Sequence, residues 1–191
     1  MRDFINLISN LYENADIDRE FYINQSNEFR AERDKWWPVS KELMDSYRDG
    51  SHTEKWHSDL LIWVKNGLLH RDGDKPAEIY ANGSLAWYKN DLVHREGDKP
   101  ADINSDGDLL WSKNGYWHRD GDKPARIEAT GSLQWCKNGE LHRVRGPAVI
   151  TENNNFEWYF KGEKILVKSQ EEFLKWLSDK GHIDVYRLRK Q

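Results

Sequence analysis

Four His-Arg pairs, His70-Arg71, His94-Arg95, His118-Arg119 and His142-Arg143, are the residues of this sequence most suggestive of chemistry. An imidazole titrates near neutral pH and is the usual acid–base group. An enzyme, however, needs one preorganised site built from residues unlike their surroundings. These pairs instead recur at one fixed interval along the chain. Equal copies point to structure, with each His packed on or hydrogen-bonded beside a Trp ladder. Zinc fails on geometry. Histidines one repeat apart would stand about 9.5 Å from each other, whereas ligands of one zinc each sit about 2 Å from it.

Asp72-Gly73-Asp74, Glu96-Gly97-Asp98 and Asp120-Gly121-Asp122 invite comparison with calcium loops. Such loops need several convergent oxygens, and these continue into Lys-Pro instead. They read as turns in which Asp caps backbone amides. Cys136 has no activating neighbour beyond Lys137 and reads as a small buried apolar residue. No phosphate loop, Ser-His-Asp order or zinc signature occurs. The expectation is therefore no catalytic residue, no metal and no cofactor.

The elements that would position these groups are set by the same period. Trp63, Trp87, Trp111 and Trp135 are equally spaced, and Trp158 follows one position short of the next step. In each copy an alternating segment such as Ser84-Leu85-Ala86-Trp87-Tyr88-Lys89 precedes Asn-Gly or Asn-Asp, the strongest short hairpin signal. A return arm follows, then Gly-Asp-Lys-Pro and Ala-x-Ile. The spacing favours two long, kinked strands per copy, so that equivalent side chains stack in ladders about 9.5 Å apart. The hairpin turns set Trp63/His70, Trp87/His94, Trp111/His118 and Trp135/His142 on one face. Val64/Leu69, Tyr88/Val93, Ser112/Trp117 and Cys136/Leu141 fall on the other. Both faces are partly apolar, so at least one should be covered, and the second is the face favoured for a terminal helix.

The flanks can supply that cover. Phe4, Leu7, Ile8, Leu11 and Tyr12 recur at helical spacing, residues 17 to about 33 suggest a second helix, and 41–48 a third. Ser169-Gln170-Glu171-Glu172 is a capping box opening a helix with Phe173, Trp176 and Leu177 on one side and a stop at Gly181. The expected fold is α+β: an elongated antiparallel β-hairpin array at 56–162, between a helical region at 1–55 and a C-terminal helix with a basic tail at 163–191. The helices would cap the array ends.

The unit W-x-K-N-G-x-x-H-R-x-x-G-P-A-x-I resembles the short tandem repeats, described as MORN-like, of many phage, giant-virus and bacterial proteins. Trp135–Ile150 matches best, with Arg145-Gly146-Pro147-Ala148 where the first three copies carry one residue more. True MORN repeats have a Y-x-G-x-W core that this chain lacks, so lipid binding does not carry over. The resemblance, over roughly half of the chain, implies a hairpin array used as a scaffold and a virus or mobile element as source.

Composition narrows the function. The chain carries 29 Lys and Arg against 33 Asp and Glu, and only 161–191 is locally basic. That is not the broad basic surface of a phosphate-gripping protein. One cysteine allows no internal disulfide, and a reducing compartment such as the cytoplasm follows as the expectation. The opening segment lacks a continuous apolar stretch, and none reaches the length of a spanning helix, so no membrane association is expected. Ten Trp and eight Tyr can bury a core and also offer rigid contact area. The expected function is a non-enzymatic protein-binding scaffold, which the resemblance extends to a phage-encoded inhibitor of a host enzyme or defence factor. The alternative is a nucleic-acid binder stacking bases beside Lys65, Lys89, Lys113 and Lys137. Invariant positions build an array, so partner contacts are expected where copies differ: Tyr80, Tyr88, Tyr116 and Trp117.

Overall fold

The structure is a computed structural model and describes residues 22–24, 27–31, 53–57 and 60–183. The expected helices at 4–12 and 41–48 and the basic tail lie outside the described residues. The architecture is α+β: antiparallel hairpin strands in one large open sheet, with short helices.

Among the described residues the sheet has twelve strands. Thr53–His57 and Leu60–Lys65 form its first hairpin. Glu78–Tyr80, Leu85–Ala86, Asp102–Ile103, Leu109–Leu110, Arg126–Ile127, Leu133–Gln134, Val149–Ile150, Phe156–Phe160 and Glu163–Ile165 then add on, each antiparallel to the one before. Leu68–Leu69 pairs beside Leu60–Lys65. Three two-stranded hairpins stand off this sheet: Tyr88–Lys89 with Leu92–Val93, Ser112–Lys113 with Tyr116–Trp117, and Cys136–Lys137 with Glu140–Leu141.

In the second to fourth copies the two long strands expected are thus each broken into two short ones, whereas Leu60–Lys65 runs unbroken through Trp63. The break in the first arm is the tryptophan. Trp87 N–H donates into the large sheet, to Ala101 O at 2.8 Å, while its carbonyl accepts from His94 N in the hairpin at 2.9 Å. The break in the second arm is the Gly-Asp-Lys-Pro turn, whose proline has no N–H for a ladder. The even number of arms stands, and so do the expected cross-strand pairs. Both central residues of each hairpin turn have positive φ, for example Asn114 at 53° and Gly115 at 84°, the signature of a type I′ turn. Asp91 takes the glycine position at 66°, and its carboxylate accepts from Leu69 N–H at 2.6 Å.

Period-2 alternation puts Leu61, Ile79, Leu85, Ile103, Leu109, Ile127, Leu133 and Ile150 on one face, all fully buried with the four tryptophans. Each such Leu or Ile contributes roughly 2 kcal/mol through removal from water. The chain is helical at 22–24 and 27–31, and this segment lies on the Trp side. Tyr22 meets Trp135 edge-on at 6.2 Å, Phe29 meets Trp111 at 5.6 Å, and Arg30 Nε donates to Gly107 O at 3.0 Å. Among the described residues the helical cover thus lies on the Trp side, where the isoleucines, leucines and tryptophans offer a continuous apolar area.

The C-terminal helix, Gln170–Asp179, begins at Ser169, whose Oγ accepts from Glu172 N–H. It buries Phe173 and Leu177 against Trp158, Phe160 and Ile165. Among the described residues no helix is long and apolar enough to cross a membrane.

Trp111 is 2% exposed, at the centre of the Trp row. Trp111→Ala is expected to cost about 3–5 kcal/mol as a large-to-small core change, read as a lower denaturation midpoint at unchanged denaturant slope. A midpoint close to the parent's would remove the row from the core.

Candidate binding face

Each of the first four repeat tryptophans carries an arginine on its ring. The guanidinium carbons of Arg71, Arg95, Arg119 and Arg143 lie 3.6, 3.8, 3.8 and 3.9 Å from the ring centres of Trp63, Trp87, Trp111 and Trp135. Arginine is thus the group that packs on the ladder, and of the two places expected for the histidines they take the one hydrogen-bonded beside it, as His94 N–H donates to Trp87 O. From the second copy onward the same guanidinium reaches across to the preceding copy. Arg95 Nε and Nη2 donate to Asp74, Arg119 to Asp98 and Arg143 to Asp122. Nη1 donates to the proline carbonyl of its own turn, as Arg95 does to Pro100 O at 3.2 Å.

These aspartates were expected to cap backbone amides, and they instead accept the arginine of the next copy, with a lysine added in two cases, Lys99 on Asp74 and Lys123 on Asp98. Partial burial pushes the Asp74 and Asp98 carboxyls up, but the hydrogen bonds from Arg and Lys outweigh it and hold both below the ordinary range. The signal for this contact was present in the sequence. Every copy that follows a Gly-Asp turn has His-Arg, whereas the fourth turn lacks the aspartate and the Trp158 copy after it lacks the arginine. There Trp158 Nε1 donates to Gln170 Oε1, and Gln170 Nε2 donates to Val144 O.

The histidines form a second joint. Nδ1 of His94, His118 and His142 accepts the backbone N–H of Asn114, Asn138 and Lys161 in the next hairpin, at 3.1–3.2 Å. His70 does the same to Asn90 N at 3.3 Å. Nε2 of His70, His94 and His118 faces Asp72, Glu96 and Asp120 at 2.9–3.0 Å. Those carboxylates also hold Lys65, Lys89 and Lys113, so three lysines of the expected row are already paired. The hydrogen bonds from Lys65 and then His70 hold the exposed Asp72 carboxyl down at about 2. Val144 replaces the acid in the fourth copy, and His142, half-buried near Lys137 and Lys161, is held below the ordinary imidazole range. Cys136 is buried and its thiol is pushed up to about 11 by that burial. Among the described residues no group of three or more His, Cys, Asp or Glu could hold a metal ion.

The face opposite the isoleucines is built by the other half of the alternation. Glu78, Ala86, Asp102, Leu110, Arg126, Gln134 and Val149 are successive cross-strand partners along it. The four expected contact residues distribute unequally. Trp117 is 40% exposed, with the Arg126 guanidinium 6.0 Å from its ring centre. Tyr116 is 61% exposed at the hairpin tip, its ring 3.2 Å from where a Cβ on Gly139 would stand. Tyr80 and Tyr88 are half-buried. Tyr80 Oη donates to Glu78 at 3.0 Å. Burial and then the Glu78 charge push the Tyr88 phenol up, with a hydrogen bond to Glu78 adding to the shift.

Sequence reasoning missed the charged row beside these rings. Arg126 pairs with Asp108 and Glu128. Glu78, only 7% exposed, and Asp102 have no cation within ion-pair distance among the described residues. Burial, then the Glu78 and Asp108 charges, push the Asp102 carboxyl up to about 6.

Comparison with protein-family models, curated proteins and solved structures gives no match.

Removing one partner of a buried ion pair strands the other, so Asp98→Ala is expected to destabilise by about 3 kcal/mol. Asp98→Asn, which keeps a hydrogen-bond acceptor, should lose less, and equal melting of D98A and parent would refute the clamp. At Asp102 the sign reverses. A carboxyl raised from 3.8 to about 6 contributes stability only below the unfolded value, and loses it as pH rises through the folded one. Asp102→Asn should therefore gain about 2 kcal/mol at pH 7 and nothing below pH 4. Urea titrations at the two pH values check this.

Proposed function

We propose that the chain is a non-enzymatic protein-binding scaffold, a hairpin repeat array with helical ends. The observation that carries this reading is the exposure of Trp117 and Tyr116. They stand where the neighbouring copies have Val93 and Leu141, or Leu92 and Glu140. Large, rigid aromatics give contact area at little entropic cost and dominate protein interfaces. The histidines support the same reading, since the Nδ1 and Nε2 of His70 and His118 are both engaged in joints between and within copies. A general base there would have to break the array to accept a proton.

The MORN-like resemblance extends the proposal to a phage or viral product that inhibits a host enzyme or defence factor in the host cytoplasm. Nucleic acid is the weaker partner, because Lys65, Lys89 and Lys113 are neutralised by carboxylates and phosphate binding depends on free cations.

The test is a Tyr116→Ala, Trp117→Ala double variant, followed by melting and by cross-linked capture from host extract with identification of the captured protein. Capture should fall by about tenfold or more with melting nearly unchanged. Undiminished capture would exclude these rings as contacts. Steeply salt-dependent binding of single-stranded DNA by the parent would favour the nucleic-acid alternative.

A further inference from the structure

We infer that Lys137, His142 and Arg145 of the fourth copy form an anion site that takes a carboxylate from an acidic segment of the partner protein; this rests on the protein-binding reading above. The first three copies show what belongs there. In each, one carboxylate bridges the lysine and the histidine: Asp72 between Lys65 and His70, Glu96 between Lys89 and His94, Asp120 between Lys113 and His118. The fourth copy keeps both partners, as Lys137 and His142, and has Val144 in the place of the acid. Arg145 follows where those copies have Gly73, Gly97 and Gly121. At this one place a negative charge is lost and a positive one gained.

The donors are in place. His142 Nδ1 accepts the Lys161 N–H at 3.1 Å, so the neutral ring carries its hydrogen on Nε2. That is the nitrogen which in the earlier copies faces the carboxylate at 2.9–3.0 Å. Lys137 and Arg145 are both exposed, and neither has an ion pair among the described residues. Both line one open cleft of about 270 Å³ together with His142 and Val144. The acids of that cleft are engaged, Asp120 by Lys113 and His118 and Asp122 by Arg143. Glu140, the cross-strand partner of Lys137, lies over Gly162, its carboxyl carbon 3.7 Å from where a Cβ there would stand. Val144 packs against the apolar cluster of the C-terminal helix, which leaves the carboxylate to come from outside. Charge-assisted hydrogen bonds from a lysine and an arginine are about twice as strong as neutral ones. A carboxylate is also the group that the same lysine and histidine pair holds three times in this chain. The site adjoins the exposed rings, since Tyr116 lies over Gly139 in the hairpin that carries Lys137.

The experiment uses the full chain and a peptide of four Glu-Ser-Gly units with both ends blocked. A peptide with glutamine for glutamate keeps the shape and removes the charge. The Lys137→Gln, Arg145→Gln variant is compared with Lys65→Gln, Lys89→Gln, which removes the same charge from copies whose acid is in place.

Titration calorimetry should show binding of the glutamate peptide and not of the glutamine one, and the His142 imidazole resonance should move as the peptide is added. Affinity should drop about tenfold or more in K137Q/R145Q, with melting nearly unchanged, and stay within about twofold in K65Q/K89Q. Equal losses in the two variants, equal binding of the two peptides or no binding by the parent would each overturn the proposal. So would tighter binding of an oligothymidine of similar length than of the glutamate peptide. If capture of the host protein depends on Tyr116 and Trp117 while the glutamate peptide ignores Lys137 and Arg145, the anion site falls and the protein-binding reading stands. Peptide binding that needs Lys137 and Arg145, with no protein captured, would sink that reading and keep the carboxylate site.

Discussion

The contact on which the rest depends is a guanidinium held between an indole ring and a carboxylate from the preceding copy. Arg95 and Arg119 are almost fully buried, with side chains 1% and 3% exposed. A buried charge is tolerated only when its hydrogen bonds are met and an opposite charge is near. The ring alone cannot supply that, and neither can the turn of the same copy, which gives one proline carbonyl. The carboxylate has to come from the turn before, as Asp74, Asp98 and Asp122 do. That requirement ties each turn to the next and resists changes of repeat length. It also explains where the pattern stops. Once the fourth turn loses its aspartate, the next Trp takes a glutamine of the C-terminal helix as its partner.

The histidine joint acts at the other edge of each copy. Its Nδ1 holds the next hairpin's turn by a backbone N–H, and its Nε2 gathers an acid that in turn gathers a lysine. The hairpins stand off the large sheet, so few ladder bonds orient them, and these side-chain bonds do so instead. Imidazole suits the place because it can accept on one nitrogen and donate on the other. The same property is why these residues look catalytic when read one at a time.

Among the described residues the Trp side packs under the helical segment and the turns form the clamp, whereas the opposite sheet face and the hairpin tips carry the positions that vary between copies. The row Glu78, Asp102, Arg126, Val149 has no common chemistry, and the paired hairpin positions run from Val64/Leu69 to Ser112/Trp117. Positions that hold an array together repeat, and positions released from that duty can be used for recognition.

The sequence by itself determined the period, the type I′ hairpins, the cross-strand pairs and the capped C-terminal helix, because these follow from local rules: turn chemistry, two-residue alternation and a capping box. Asn114-Gly115 admits one turn, and that turn admits one register for Trp111, Ser112, Trp117 and His118. It did not say which face a helix would cover, since both faces have apolar residues and the choice rests on total area gathered from many strands. Nor did it show that arginine, and not histidine, lies on the tryptophan. The three groups of one clamp, Trp87, Arg95 and Asp74, belong to two copies and three separate segments, and only the stacking of whole copies brings them together. The stranded carboxyl of Asp102 is likewise a tertiary product. Its neighbours Glu78 and Asp108 are fixed by strand order and by burial on a sheet face, which no local pattern encodes.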